Sequence, residues 1–316
     1  MHDSIGNLCL KVFSTLLAGA AIAAAQTYGY VANELGNNVA VVNLTTNTVT
    51  KTISFSAAGV TGLAEMPDGA YVYVTEQNKN SVAILSTSSN SVTETVAVGH
   101  APVQVVFTPN GEWAYVVNSG SNNVSVINTS TKAVVATIPV GSRPAGIAVT
   151  PTGTEVLVTN MGTANISVIS TSTNKVTATW TALSGPSGIA VYGNDVYVAN
   201  AYANSLTVYN LTTGVIQSTI TGFSFPNAVA VMPNGSGLYV TNGNSSSVWA
   251  LKVSTLAIEA KIPAGLLPTA VAISSNSSTA YVTNGYGYSL TIINTATNTV
   301  KDTLPEIGVY PVSMAL

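Results

Sequence analysis

The chain has 316 residues and a net charge of −3; 47% of its residues are hydrophobic and only 7% are charged. Disordered chains combine low hydrophobicity with high charge, so this composition excludes disorder. The 9 lysines and arginines are scattered singly and form no patch that could neutralise a run of phosphates, so nucleic acid is not expected as a partner.

The N-terminal segment has the order of a secretory signal. Lys11 precedes an apolar run over residues 12–25 that ends in three alanines. A basic start, small residues at the end and a run shorter than the roughly 20 residues that span a bilayer predict a signal peptide over residues 1–25. Cleavage after Ala25 leaves a domain of residues 26–316 without a transmembrane segment. That domain is expected outside the cell, at its surface or in the periplasm; an uncleaved membrane anchor is the alternative.

The single cysteine, Cys9, lies inside this predicted signal. The remaining chain therefore has no disulfide, no thiolate nucleophile and no cysteine zinc site. A domain of this length can be held by its core and its hydrogen bonds alone, because it buries roughly 75% of the surface of the unfolded chain.

One tetrapeptide of the type Tyr-Val-Thr-Asn recurs through the rest of the chain. Its seven copies occupy residues 30–33, 73–76, 115–118, 157–160, 197–200, 239–242 and 281–284. A period near 40 residues is typical of a repeat architecture such as a propeller.

Each period contains four short runs rich in Val, Ile, Thr and Tyr, separated by turns rich in Gly, Asn and Pro. In the third period the runs are residues 145–150, 155–160, 166–170 and 176–180. Such runs are typical of antiparallel strands. An open sheet of about 28 strands would curl or split, because open sheets rarely exceed ~10 strands. We therefore predict an all-β, seven-bladed β-propeller of four-stranded antiparallel blades.

The two ends of the repeat region predict how the ring closes. Residues 28–33 match the second strand of the other repeats, whereas residues 311–316 match their first strand. The C-terminal strand is therefore expected to join the N-terminal blade and complete it.

The tetrapeptide, the segment over residues 122–129 and the Ile-Pro-Val-Gly link within residues 138–144 resemble the YVTN family of β-propellers, which includes archaeal surface-layer proteins and bacterial exported proteins. The resemblance covers residues 28–316. It implies the propeller fold and an exported or surface-layer setting. It implies no particular activity, because the motif is architectural.

The asparagine that ends most tetrapeptides is predicted to support a turn, where it tolerates a left-handed backbone. Binding residues are therefore sought where the repeat is broken, on the face that carries the links between blades and the loops between second and third strands. The candidates on this face are Glu76, His100, Arg143, Phe225 and Tyr310. The first three could hold a small anionic or sugar-like ligand, since arginine offers a fixed fork to a carboxylate. Solvated loop residues without a ligand are the alternative.

Glu65 is a candidate inside the channel. The other repeats are expected to place an apolar residue there: Phe107, Val149, Val191, Val231, Ile273 and Ala315. A carboxyl group in such surroundings should be partly desolvated, which raises its pKa unless a partner is near. Two interpretations of Glu65 are open: a functional carboxyl group, or an acid that lines a water-filled channel.

Several chemistries are disfavoured. A Ser-His-Asp triad lacks support because His100 is the only histidine after residue 25 and the aspartates lie in distant repeats. One histidine cannot build a histidine metal cluster, and no calcium-loop motif occurs, so no cofactor is expected. Calcium held by lone carboxylates and channel carbonyls is an alternative without support of its own.

Two functions follow as hypotheses. The first is an exported, non-enzymatic scaffold that binds a protein, a glycan or a small ligand through its loop face at the channel. The alternative is a secreted lactonase-type hydrolase or a lyase that uses Glu65, Glu76, His100 or Arg143. Convergence of these side chains around one pocket would favour the enzyme.

Overall fold

The computed structural model describes residues 28–316, so the predicted signal segment lies outside the described residues. Within residues 28–316, 28 strands form seven four-stranded antiparallel sheets. Two short 3-10 helices, Gln77–Lys79 and Gly243–Ser245, are the helical segments of this part of the chain. The predicted seven-bladed all-β architecture is confirmed.

Every blade uses four strands in the same order from the channel outwards. The first strands are β4 (Val60–Glu65), β8 (Pro102–Phe107), β12 (Pro144–Val149), β16 (Pro186–Tyr192), β20 (Pro226–Val231), β24 (Pro268–Ile273) and β28 (Pro311–Ala315). The second strands are β1 (Tyr28–Asn33), β5 (Tyr71–Glu76), β9 (Trp113–Asn118), β13 (Glu155–Asn160), β17 (Asp195–Asn200), β21 (Gly237–Asn242) and β25 (Thr279–Asn284). The third strands are β2 (Asn38–Asn43), β6 (Ser81–Ser86), β10 (Asn123–Asn128), β14 (Asn165–Ser170), β18 (Ser205–Asn210), β22 (Ser247–Lys252) and β26 (Ser289–Asn294). The fourth strands are β3 (Thr48–Ser54), β7 (Ser91–Ala97), β11 (Ala133–Pro139), β15 (Lys175–Thr181), β19 (Ile216–Thr221), β23 (Ile258–Pro263) and β27 (Thr299–Leu304).

The core lies between neighbouring blades. First strands of successive blades contact one another around a closed ring, and they therefore surround the channel. Second strands are buried on both faces, which explains why the tetrapeptide is apolar or aromatic at successive positions: Tyr73 packs with Val105 and Val116 of the next blade. Fully burying one such side chain contributes roughly 1.5–3 kcal/mol. Fourth strands such as β7 are mostly exposed, which suits their polar sequences.

Strand β28 closes the ring. It pairs antiparallel with β1, so that Val31 lies opposite Met314 and Ala32 lies opposite Ser313. The predicted closure by the C-terminal strand is confirmed. A side-chain bond adds to it, because Asn33 Nδ2 donates to the carbonyl oxygen of a residue 274 positions later, Ile307, at 3.1 Å.

The tetrapeptide asparagine ends its strand, as predicted, but its backbone is not left-handed, and that part of the prediction was wrong. Asn118 ends strand β9 and is fully buried, and the left-handed conformation occurs four residues later, at Asn122 with φ 55°. Asn118 Nδ2 donates to Asn123 Oδ1 and to Ser125 Oγ, both at 2.9 Å. The amide is therefore used to tie the second strand to the third from inside the blade.

The left-handed asparagine joins successive blades instead. Asn122 Oδ1 accepts the backbone N–H of Arg143 at 2.8 Å. The same bond joins Asn37 to Gly59, Asn80 to Ala101 and Asn204 to Phe225. Each donor immediately precedes a first strand, and its own φ is positive. These clamps hold the residues around the channel mouth on a fixed backbone.

Candidate functional site

The channel has two chemically different ends. Strand β4 pairs with β5 so that Val60 lies opposite Glu76 and Glu65 lies opposite Val72. Glu65 and Glu76 therefore lie at opposite ends of a strand of 6 residues, about 17 Å long at roughly 3.3 Å per residue.

We name the two ends by their loops. The link face carries the connections between blades, such as residues 98–101 and 140–143, and the loops between second and third strands. The hairpin face carries the turns between first and second strands, such as residues 66–70 and 108–112, and the turns between third and fourth strands.

Glu76 lies on the link face but is already engaged within its own blade. The residue is 3% exposed. Its Oε1 accepts a hydrogen bond from Lys79 Nζ at 3.1 Å, and its Oε2 accepts one from Ser81 Oγ at 2.7 Å. Glu76 stands where the other blades have the buried asparagine, and its carboxylate likewise ties the second strand to the third.

His100 and Arg143 are exposed on the same face. The backbone N–H of His100 donates to Ser121 Oγ at 3.0 Å, and that of Arg143 donates to Asn122 Oδ1 at 2.8 Å. These bonds position the main chain and leave the imidazole and the guanidinium at the surface. Together with Lys79 they form the basic half of the link face.

Phe225 and Tyr310 belong to an aromatic half of the link face. Each is half-buried and packs against an exposed tyrosine: ring centroids are 5.9 Å apart for Phe225 and Tyr202, and 5.3 Å apart for Tyr310 and Tyr286. Tyr202 is 52% exposed and Tyr286 is 60% exposed. Burial raises the pKa of Tyr310, and the nearby Tyr286 and Glu34 raise it further.

Sequence reasoning found the half-buried ring of each pair and missed the exposed one. Tyr202 and Tyr286 occupy the same place in the repeat, two residues after the tetrapeptide asparagine. Aligning the repeats at that position would have found them.

Glu65 lies at the hairpin face. It lines an opening of about 430 Å³ with apolar neighbours that include Val106, Phe107 and Val149. Burial raises the pKa of Glu65 to about 6, and the charge of Asp68 adds to this shift. The upward shift agrees with the expectation for a partly desolvated carboxyl group.

One residue of the repeat alignment around Glu65 was wrong. Ala315 pairs with Tyr30, whereas Glu65 pairs with Val72, which corresponds to Gly29 in the first blade. Glu65 is the sixth residue from the start of its strand, and the sixth residue from Pro311 is Leu316. The counterpart remains apolar, so Glu65 is still the one carboxyl group at this place in the ring.

Two further clefts open on the hairpin face, with volumes of about 600 Å³ and about 350 Å³. Both are lined by Asn110, Glu112 and Trp113. Sequence reasoning missed them because the clefts form between hairpins of neighbouring blades. A signal was present, since Trp113 is the one tryptophan among the seven residues that begin the second strands.

The candidate side chains do not converge on one pocket. Glu65 is separated by the length of the channel strand from Glu76, His100 and Arg143. Among residues 28–316 no group of three or more His, Cys, Asp or Glu side chains is arranged to hold a metal ion. No helix within the same residues is long and apolar enough to cross a membrane.

The geometry is that of a seven-bladed propeller. Its link face has a basic half and an aromatic half, and its hairpin face carries Glu65. A family model described as "Lactonase, 7-bladed beta-propeller" matches residues 20–136 and 132–259. The chain therefore belongs to this propeller family. No curated protein matches the sequence.

Solved structures with low sequence identity share the fold. Hydrazine synthase of Kuenenia stuttgartiensis is 21% identical with a TM-score of 0.76, over 85% of this chain and 93% of that chain. A functionally unknown protein from Desulfotomaculum acetoxidans is 17% identical with a TM-score of 0.81, over 90% and 98%. A putative 6-phosphogluconolactonase from Bacteroides fragilis is 16% identical with a TM-score of 0.74, over 92% and 98%.

Proposed function

We propose that the protein is an exported, non-enzymatic propeller that binds a ligand through its link face. The observation that carries the proposal is the separation of Glu65 from His100 at the two ends of the channel. Proton transfer between a base, an acid and a substrate needs heavy atoms within about 3 Å of each other or one bridging water. Groups held a strand length apart cannot act together, whereas each can still contribute to binding on its own face.

The link face has the features expected of a binding surface. Its basic half carries Lys79, His100 and Arg143, and its aromatic half carries the ring pairs of Phe225 and Tyr310. The loops are held by backbone hydrogen bonds between the links and the neighbouring loops, such as Gly243 N–H to the carbonyl oxygen of Phe225 at 3.0 Å. Rigid loops reduce the entropy that is lost when a ligand binds.

A thermal-shift screen against sugars, lactones, small carboxylates and metal ions tests this proposal. A ligand at 100 times its dissociation constant adds about 2.7 kcal/mol to the free energy of unfolding. We expect a bound ligand whose shift is lost in Arg143→Ala or Tyr310→Ala. A ligand whose shift survives both substitutions and His100→Ala would contradict binding at the link face.

Export is the second part of the proposal and rests on the N-terminal sequence. N-terminal sequencing of protein recovered from outside the cytoplasm is expected to begin at Gln26. A cytoplasmic protein that retains residues 1–25 would contradict it.

A lactonase-type hydrolase is the second candidate, supported by the family and by Glu65. A carboxyl group with a pKa of about 6 beside an opening of about 430 Å³ could act as a general base on water attacking a lactone carbonyl. No lysine or arginine lines this opening, so the phosphate of a phosphorylated lactone would find no cationic partner there. Hydrolysis of an unphosphorylated lactone that Glu65→Gln abolishes would establish this function and overturn the non-enzymatic one.

A further inference from the structure

Trp113 lines two neighbouring clefts on the hairpin face that the proposed function does not use. The cleft of about 600 Å³ lies between the hairpins of two blades and is also lined by Asp68 and Asn128. The cleft of about 350 Å³ extends towards the next blade, where it is lined by Thr152 and Thr171. Both volumes fall in the range of about 300–1,000 Å³ that is typical of small-ligand sites.

The polar side chains around Trp113 are held by hydrogen bonds before any ligand arrives. Thr108 Oγ1 donates to Asn110 Oδ1 at 2.7 Å, and Asn110 Nδ2 donates to Glu112 Oε2 at 2.8 Å. The backbone N–H of Trp113 donates to Thr108 Oγ1 at 3.2 Å. A braced hairpin loses little conformational entropy on binding, which favours affinity.

The ring and its neighbours have complementary chemistry. Trp113 is half-buried and packs beside the apolar cluster that contains Tyr115 and Val126. An indole offers a flat apolar ring and one N–H donor, and Trp113 lines both clefts. The exposed carboxylates of Asp68 and Glu112 accept hydrogen bonds, and charge-assisted bonds of this type are roughly twice as strong as neutral ones.

The same lining excludes anions. Neither cleft is lined by a lysine or an arginine. A phosphate or a carboxylate would therefore face two carboxylates, because Lys132 of the adjoining turn is paired with Glu94 at 3.7 Å and lies over the Tyr71 ring. A ligand with a flat face of C–H groups could stack on the Trp113 ring. Hydroxyl or amino groups around its edge could donate hydrogen bonds to Asp68 and Glu112.

We propose that the Trp113 clefts bind a short saccharide, neutral or amino-substituted and not acidic, with a sugar ring stacked on Trp113 and its donors bonded to Glu112 and Asp68. This site is independent of the link face. Substitutions in one are expected to leave binding at the other unchanged, so the two proposals can fail separately.

Isothermal titration of the purified protein with three disaccharides tests the proposal: cellobiose, the glucosamine dimer and digalacturonate. We expect the first two to bind and the third to give no heat of binding. Trp113→Thr should weaken binding at least tenfold. Another blade has Thr279 at the corresponding position, so the fold accommodates this side chain. Asp195→Thr, at the same strand position in a blade away from both clefts, is the matched control and should bind normally.

Glu112→Gln provides a second variant that does not touch the core, because Glu112 is exposed. It should weaken binding of the glucosamine dimer at least threefold and leave the melting temperature unchanged. The proposal is overturned if neither cellobiose nor the glucosamine dimer binds. It is also overturned if digalacturonate binds equally well, or if folded Trp113→Thr or Glu112→Gln protein binds like the unchanged protein.

Discussion

The hydroxyl group of Tyr115 donates to Asn174 Oδ1 at 2.8 Å, and this bond crosses from one blade to the next. The same bond joins Tyr30 to Asn90 and Tyr239 to Asn298. Tyr73 departs from the pattern, because the left-handed turn residue at the matching place is Lys132. The buried hydroxyl group of Tyr73 has no hydrogen-bond partner among residues 28–316.

This difference predicts opposite effects for one substitution at two sites. Tyr115→Phe should lower the free energy of unfolding by about 1–2 kcal/mol, because it removes a hydrogen bond and leaves the Asn174 acceptor without its donor. Tyr73→Phe should leave the free energy of unfolding unchanged or raise it, because it removes a buried polar group that has no partner. Denaturant unfolding of both variants measures the contrast, and equal losses would show that the interblade bond contributes nothing.

The asparagine clamps predict a second contrast. Asn122→Ala should cost about 1–2 kcal/mol, because alanine tolerates a left-handed backbone less well and cannot accept the N–H of Arg143. Ala164 has the equivalent position in the next blade with φ 49°. Ala164→Asn adds such an acceptor and should therefore raise the free energy of unfolding, by about 0.5–1 kcal/mol. A stabilising Asn122→Ala or a destabilising Ala164→Asn would contradict this role.

The raised pKa of Glu65 predicts how the free energy of unfolding depends on pH. Its pKa is raised from 4.5 to about 6 in the folded protein, so the folded state binds this proton more tightly than the unfolded state. The resulting stabilisation is fully present below pH 4.5 and is lost as the pH rises through about 6. At 1.36 kcal/mol per pKa unit the shift sets an upper limit of about 2 kcal/mol, and solvent screening at this half-buried group reduces it.

Glu65→Gln should remove this dependence. Burial raises the pKa of Glu34 in the same direction, so the unchanged protein also loses stability from that group as the pH rises. The difference between the unfolding free energies of the variant and the unchanged protein at pH 4.5 and pH 7 isolates Glu65. A difference that stays constant with pH would show that Glu65 is not desolvated.

Removal of residues 311–316 should unfold the ring. It deletes β28, which leaves strand β1 unpaired on its channel side and takes Met314 and Ala315 out of the core. We expect a loss of more than about 5 kcal/mol, comparable with the whole stability of a typical domain. Val309→Ala, which changes an exposed residue just before the strand, is the control and should melt normally. A truncated chain with an unchanged melting temperature would contradict closure by β28.

The repeat made the fold predictable from the sequence. The four-strand pattern can be recognised within each repeat, because strand patterns depend on nearby residues. The seven copies of the tetrapeptide then give the number of blades. The pairing of β28 with β1 was predictable because only a first strand was missing from the N-terminal blade. The role of Asn118 was not predictable, because its amide bonds to Asn123 and Ser125, and these two residues reach it only once the third strand has paired with the second.

The candidate sites were less predictable for a physical reason. His100, Arg143, Phe225 and Tyr310 stand out one residue at a time, as departures from the repeat. The clefts beside Trp113 depend on the spacing between hairpins of different blades, and no single repeat contains that information.

Closure by β28 also sets the order in which the molecule can fold, because the strand that completes the ring is synthesised last. The bond from Asn33 to Ile307 spans 274 positions. At a synthesis rate of about 5–20 residues per second, strand β1 waits on the order of 10–60 s with one edge open before its last partner is made. An open strand edge is a template for other chains. We therefore expect strand β1 to be the segment whose open edge most needs protection during synthesis. A chaperone bound to this edge would prevent it from pairing with other chains, and so would passage across a membrane in an extended form.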